Sequence, residues 1–258
     1  MIIPGILEKD FAELIKKVNL LENKAKLIHI DIADGKLVDG ATFLDMNKLK
    51  EIPDVSLEVH LMVKDPLKYL DKFENVKSFI AHIEASDDPT LFIEKSKKLG
   101  YKTGLCLNPN TPLEDISPFM DKVDFIQLMT VIPGGQGRVF QNDVLNKISI
   151  LRKASPNIEI QVDGGINETT LGAVIDAGAD NAVIGSNIFS NKNPVEQIHN
   201  LEKQARKEFL KAEGTVRAIK RVAFLGGASV EPEDPLFKSA YDVAKLLAEN
   251  GYEIMNGG

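Results

Sequence analysis

Short apolar runs punctuate the first 210 residues or so. Their C-terminal ends fall at Leu7, Asp31, Leu61, Glu84, Leu107, Thr130, Asp163 and Gly185, at intervals of 22 to 33 residues. Most are followed by a stretch with apolar positions at helical spacing. A strand, a crossover helix and a return to a parallel strand need about this length. The alternation therefore predicts an α/β fold with a parallel sheet. Eight such units predict a closed (β/α)₈ TIM barrel over residues 1–212 rather than an open sheet.

Several helices announce their starts. Asp65-Pro66 is expected to open one after the third strand, and Asp88-Pro89 another after the fourth, with proline suited to the first turn. Thr111-Pro112-Leu113-Glu114 reads as a capping box after the fifth strand. Phe140 to Arg152 reads as the helix after the sixth, Asn167 as the start of the next, and Pro194 to Ala212 as the last barrel helix. A new pattern then begins, spanning residues 219–258. It comprises a strand at Arg221–Leu225, a glycine-rich turn at Gly226–Glu231, a helix at Pro235–Asn250 closed by Gly251, and a strand at Tyr252–Met255. One βαβ unit of this size cannot cover both faces of its own sheet. The tail is expected to be the truncated start of a further domain.

Composition narrows the function. The hydrophobic fraction is 43% and the charged fraction 27%, as in a soluble globular protein. A net charge of −7 argues against a nucleic-acid partner. It leaves a phosphorylated substrate open, because backbone N–H groups can hold a phosphate. The single cysteine, Cys106, lies in an apolar run and reads as a buried thiol in a reducing compartment. There is no secretory signal pattern at the N-terminus and no apolar segment of membrane-spanning length. The expectation is a cytoplasmic protein with no membrane partner.

The chemistry sits at the strand ends. LIHIDIADG carries His29 and Asp31 two positions apart, hence on one face of a strand. LEVHLM places His60 near the end of the third strand, and IEIQVDGG places Asp163 at the end of the seventh. Active sites of this fold lie at that rim. His29, Asp31, His60 and Asp163 together would suit a divalent ion such as Zn²⁺, Mn²⁺, Fe²⁺ or Co²⁺. His82 lies near the fourth strand end without an evident partner and reads as a residue behind the site or in the barrel interior. His199, in the last barrel helix, reads as solvated.

Gly164-Gly165 and Gly185-Ser186 follow the seventh and eighth strands, the usual phosphate position of this fold. The loop Pro133–Gly137 could close as a lid. A metal flanked by Asp31 and Asp163 beside a phosphate site suggests proton transfer next to a carbonyl. The metal would polarise the ketone and stabilise an enediolate, with the two carboxylates as the acid/base pair of an epimerisation.

The stretches PGILEKDFAEL, HIDIADG, HLMVKDP, HIEA, MTVIPGGQG, VDGGIN and VIGSNIF, in that order over about residues 3–190, resemble the ribulose-phosphate 3-epimerases. The resemblance implies interconversion of D-ribulose 5-phosphate and D-xylulose 5-phosphate by a homo-oligomeric isomerase of the pentose phosphate pathway. It implies His29, Asp31, His60 and Asp163 as ligands of one divalent ion, Zn²⁺ in the first instance. It also implies Asp31 and Asp163 as the proton-transferring pair. Gly165, Gly185 and Ser186 would hold the phosphate with Gly134, Gly135 and Gly137, while Met62 and Met129 would line the pocket.

The chain departs from that pattern at several points. Gly5 stands for a serine, Ala33 for a methionine, and Asp39-Gly40 for Pro-Asn. In the sixth-strand loop Ile132 stands for an asparagine, Gly135 for a phenylalanine and Arg138 for a glutamine. Ala33 should widen the pocket and Arg138 should favour a more anionic substrate. A six-carbon ketose phosphate, as used by allulose-6-phosphate 3-epimerases, is therefore the alternative. A third reading is a barrel that binds a sugar phosphate without turning it over. A metal-free decarboxylase or aldolase of this barrel group would need a strand-end lysine, and none is present. The tail from Arg221 resembles the first βαβ unit of the Rossmann-like nucleotide phosphoribohydrolases once labelled lysine decarboxylases. Their catalytic motif would lie beyond Gly258, so no such activity is expected here.

Overall fold

The computed structural model describes residues 1–213 apart from 22–23, 53–54 and 86–87, together with 221–224 and 253–256. Eight parallel strands close on themselves in chain order. They are β1 (Ile2–Ile6), β2 (Leu27–Ala33), β3 (Ser56–Met62), β4 (Val76–His82), β5 (Lys102–Leu107), β6 (Phe125–Met129), β7 (Glu159–Asp163) and β8 (Asn181–Ile184). The ring is sealed by β1 on β8, with Ile2 opposite Ala182 and Pro4 opposite Ile184.

Each strand alternates in two kinds of burial. In β2, Ile28, Ile30 and Ile32 join the large apolar core outside the barrel wall, while His29 and Asp31 point the other way. In β3, Leu57, Val59 and Leu61 join that core and Glu58 and His60 do not. The barrel interior is therefore a column of buried polar groups with a small apolar plug of Ile80, Cys106, Phe125, Met129 and Val131. At Gly104 a Cβ would stand 2.6 Å from the Phe125 ring, so the missing side chain is what admits that ring.

The outer layer has α1 (Phe11–Leu20), α2 (Thr90–Lys98), α3 (Val144–Ala154), α4 (Leu171–Ala177), α5 (Ser186–Phe189) and α6 (Pro194–Glu213). Asp10 caps α1, accepting from Ala12 N at 2.6 Å. Ahead of α2, whose N-cap is Pro89, Asp88 accepts from Thr90 N at 2.8 Å. Gly178 ends α4 in the left-handed region, at φ +113°.

Two of the expected helices are replaced by short 3₁₀ turns, and the segment after β2 also holds only a 3₁₀ turn. The segment after β2 has only Met46–Glu51, that after β3 only Pro66–Tyr69, and that after β5 only Leu113–Asp115 and Ser117–Lys122. Asp65 makes no side-chain cap bond. Pro112 and Pro118 account for the third case, since each removes a donor and biases the preceding residue away from helix. The capping box at Thr111 does not form, because the Thr111 hydroxyl donates instead to Glu84. The helix after β6 starts at Val144, not Phe140. Glu84 lies beyond the end of β4, in the 3₁₀ turn Ile83–Ala85.

By its internal contacts the chain divides into Met1–Phe209 and Leu210–Gly258. Within the second unit, β9 (Arg221–Phe224) and β10 (Glu253–Asn256) pair in parallel, Arg221 opposite Glu253 and Phe224 opposite Asn256. The expected turn Gly226–Glu231, helix Pro235–Asn250 and Gly251 lie outside the described residues. Among the described residues no helix is long and apolar enough to cross a membrane.

Candidate active site and metal centre

His29 and Asp31 on β2, His60 on β3 and Asp163 at the end of β7 converge at the C-terminal mouth of the barrel. One donor atom from each lies within 4.8 Å of all the others. His60 Nδ1 is 2.9 Å from Asp31 Oδ1 and 3.6 Å from Asp163 Oδ2. His29 Nε2 is 3.3 Å from Asp31 Oδ1 and 3.8 Å from Asp163 Oδ2. Both imidazoles are fully buried, and His29 Nε2 has no hydrogen-bond partner despite its burial. It lies close to Asp31 without the alignment a hydrogen bond requires.

The groups behind these four are also polar and buried. His29 Nδ1 lies 2.8 Å from Glu58 Oε1. A carboxylate only accepts, so that nitrogen carries a proton. Glu58 in turn accepts from Ser78 Oγ at 2.9 Å and Gln161 Nε2 at 2.6 Å. Gln161 also donates to Gln127 Oε1 at 2.8 Å, and Gln127 Nε2 reaches Asp163 Oδ2 at 3.4 Å. Thr130 fixes the end of β7 from the side, donating N–H to Asp163 O at 2.7 Å and its hydroxyl to the same oxygen at 3.0 Å. His82 is not without a partner. Its Nε2 lies 2.9 Å from His60 Nε2 and its Nδ1 3.2 Å from Glu84 Oε2. His199 is exposed on α6, as expected.

The electrostatics separate the two aspartates. Burial acts to raise both. For Asp31 it is outweighed by the two imidazoles beside it, His29 and His60, which hold its carboxyl well below the usual range. Asp163 is pushed up to about 7, by burial first and then by the negative charge of Asp31. Burial opposes charging His29, but Asp31, Glu58 and Asp163 prevail and keep its pKa well above the ordinary imidazole value. Glu58 stays below the usual carboxylate range because the His29 pairing overcomes its burial. Three buried carboxylates around two imidazoles, one of them with an orphaned nitrogen, form a site short of positive charge. Two nitrogens and two carboxylates are a donor set that fits a divalent ion of the Zn²⁺, Fe²⁺, Mn²⁺ or Co²⁺ type.

Above the four residues opens a cleft of about 620 Å³, its open mouth included. Asp31 and Asp163 form part of its floor, with His29 and His60 sealed beneath. Met62 and Met129 line it, as do Gly134, Gly135, Gly137, Gly165, Gly185 and Ser186. Among the described residues no lysine lines it. The loops after β2 and β6 meet backbone to backbone over this mouth. A Cβ on Gly134 would stand 2.1 Å from Asp39 O, and one on Gly40 2.7 Å from Gly134 O, and both glycines have positive φ. Gln136 Nε2 donates to Leu7 O, which ties the β6 loop to the end of β1.

One expectation about the pocket fails. Ala33 does not widen the cleft, because it is buried in a cluster with Val38 and Met62 against which Leu7 and Leu37 pack. Arg138 is half-buried, and its guanidinium lies over Gly135, where a Cβ would be 3.1 Å from its Nε. It makes no ion pair among the described residues. It lines both the cleft and an adjoining depression of about 660 Å³ that shares Gly137, Gly165 and Ser186 with it.

Comparison with known proteins gives the following. The model of the Ribulose-phosphate 3 epimerase family matches residues 1–189. The ribulose-phosphate 3-epimerase of Schizosaccharomyces pombe is 34% identical over 216 residues, covering 80% of this chain and 94% of that protein. That of Bacillus subtilis is 36% identical over 200 residues, covering 74% and 92%. Among solved structures, 3-hexulose-6-phosphate synthase from Salmonella typhimurium superposes with a TM-score of 0.58 at 13% identity, over 80% of this chain and 99% of that one. Orotidine 5′-monophosphate decarboxylase from Sulfolobus solfataricus gives 0.56 at 16%, over 80% and 98%. At those identities the structural likeness establishes the barrel fold alone.

Proposed function

The chain belongs to the ribulose-phosphate 3-epimerase family, and from that premise we propose a residue-level account of how it acts. It is an isomerase of the pentose phosphate pathway that interconverts D-ribulose 5-phosphate and D-xylulose 5-phosphate. The observation that carries the account is the convergence of His29, Asp31, His60 and Asp163 beneath a cleft bordered by glycine loops.

In this account those four residues hold one divalent ion, Zn²⁺ in the first instance. When bound it supplies Lewis-acid charge for the enediolate that forms when the proton at C3 is lost. Asp31 and Asp163 move the proton. One takes it from C3 and the other returns one to the opposite face, inverting that carbon, and the reverse reaction exchanges their roles. What supports this division is that their environments push them apart, Asp31 held ionised and Asp163 raised to about 7. Glu58 keeps a proton on His29 Nδ1, which makes Nε2 the nitrogen that would ligate the ion. Met62 and Met129 form the apolar wall against the sugar, and the backbone N–H groups of Gly165, Gly185 and Ser186 face the phosphate. Gly134, Gly135 and Gly137 lie in the loop that covers it.

The test is turnover of D-ribulose 5-phosphate in D₂O by the metal-loaded protein. D-Xylulose 5-phosphate should appear with deuterium at C3. Product without deuterium would overturn proton transfer at that carbon. If the protein instead turns over only a six-carbon ketose phosphate, the pentose assignment falls and the chemistry stands. The burial of Ala33 against Val38 and Met62 favours the pentose.

Arg138 is assigned to the phosphate end of the substrate, where it stands beside Gly165 and Ser186. An ion pair open to solvent on one side is worth about 1 kcal/mol, roughly fivefold. Arg138→Gln should accordingly raise KM about fivefold, weaken inhibition by inorganic phosphate by a similar factor and leave kcat within about twofold. Steady-state kinetics with phosphate as competitor decide it, and an unchanged KM would remove the arginine from the phosphate site.

A homo-oligomeric state and a cytoplasmic location are also proposed, the latter supported by the buried, unpaired Cys106. The tail is read as a Rossmann-like unit. The parallel pairing of β9 with β10 supports this, since parallel neighbours need a crossover between them.

A further inference from the structure

We propose that Glu84, acting through His82, sets which nitrogen of His60 faces the cation site, so that both are positioning residues of the metal centre. The inference rests on the metal-binding reading of His60. It starts from a contact that admits only one arrangement of protons. His60 Nε2 and His82 Nε2 are 2.9 Å apart, and both rings are buried to within 1%. Two protonated nitrogens at that distance would clash. Two bare ones would repel with no water to intervene. One proton must lie between them. The rings are nearly parallel, with an interplanar angle of 15° and centroids 4.9 Å apart.

Glu84 decides on which side that proton resides. Its Oε2 lies 3.2 Å from His82 Nδ1, while Oε1 accepts the backbone N–H of Asn108 at 2.8 Å and the hydroxyl of Thr111. The carboxylate is thus anchored to the loop after β5 and can only accept. It requires the proton of neutral His82 to be on Nδ1, which leaves His82 Nε2 bare. His82 Nε2 then accepts from His60, whose own proton must be on Nε2. That makes Nδ1 the nitrogen of His60 that faces the cation site, 2.9 Å from Asp31 and 3.6 Å from Asp163; it hydrogen-bonds Asp31 as it stands, and an ion bound there would take the place of that proton. Gln127 Nε2 lies 3.3 Å from both nitrogens of His60 and favours neither.

The two ligand imidazoles are therefore oriented from behind by glutamates in different ways. His29 meets Glu58 directly at 2.8 Å, whereas His60 reaches Glu84 through a second imidazole. This explains why Thr111 forgoes its helix cap. Its hydroxyl is committed to the far end of the relay.

The test uses the full chain, ¹⁵N-labelled and loaded with Zn²⁺ at neutral pH, with long-range ¹H–¹⁵N correlations of the histidine rings assigned through His82 and His199 variants. The relay requires His82 as the Nδ1–H tautomer and His60 as the Nε2–H tautomer ligated through Nδ1. His82 found as the Nε2–H tautomer would overturn it. A chelator competition for Zn²⁺ supplies the second readout. Loss of such supporting groups weakens metal binding about 10- to 100-fold. His82→Phe should fall in that range and Glu84→Gln at its lower end. His82→Gln, whose amide oxygen can accept from His60, should remain nearer the wild type than His82→Phe. Wild-type affinity in a folded His82→Phe would overturn the relay alone. A wild-type protein that binds no Zn²⁺ would overturn the metal reading and the relay with it.

Discussion

Asp163→Asn is expected to reduce kcat for D-ribulose 5-phosphate by at least about 10³-fold while leaving the barrel folded. A positioned acid or base contributes about 10²- to 10⁴-fold, and this residue is assigned a second duty as a metal ligand. Asparagine preserves the shape but cannot carry the proton or supply the negative charge. The fold should survive, because the anchors at the end of β7 are backbone ones. Thr130 N and Thr130 Oγ1 both donate to the main-chain oxygen of Asp163, which the substitution retains. Coupled kinetics, with circular dichroism as the control for folding, decide the matter. A variant with near wild-type kcat would remove Asp163 from the chemistry and leave Asp31 without its partner.

Stripping the protein with a chelator should abolish turnover, and Zn²⁺, Mn²⁺, Fe²⁺ or Co²⁺ should restore it to different degrees. The same treatment should lower the melting temperature. Asp31, Glu58 and Asp163 are all buried within one polar column, and the protein's own positive charge there is confined to imidazoles. A bound cation relieves that imbalance in the folded state and has no comparable site in the unfolded one. At a hundred times its Kd, a ligand of this sort adds about 2.7 kcal/mol, which for a domain of this size is roughly 5 to 10 °C. Scanning calorimetry of stripped and reloaded protein measures it. Full turnover by the stripped protein would sink the metal-dependent mechanism, whatever the melting temperatures.

The smaller pocket changes show why local substitutions mislead when read one at a time. Ala33 suggested extra room, but it is buried at the end of β2 against Val38 and Met62. Gly135 and Arg138 also have to be read together, since the guanidinium lies over the glycine and a side chain there would displace it.

The barrel and its four rim residues were legible in the chain because each depends on a local rule. The outward apolar positions of β2 and β3 alternate strictly with inward polar ones, and that period is set by the pleat of a single strand. The same alternation also held an unused signal. Glu58, Gln127 and Gln161 are inward polar residues inside apolar strands, and all three turn out to brace the site. Which of these residues meet was decided only by the closed barrel. His60 and His82 are 22 positions apart, and Gln161 and Glu58 are 103 apart. Their contact depends on the register between neighbouring strands and on how far the sheet tilts as it closes, and no short window of sequence carries either quantity. The unformed cap at Thr111 has the same origin. The residue has ordinary capping chemistry, but Glu84, brought from another strand end, takes its hydroxyl first.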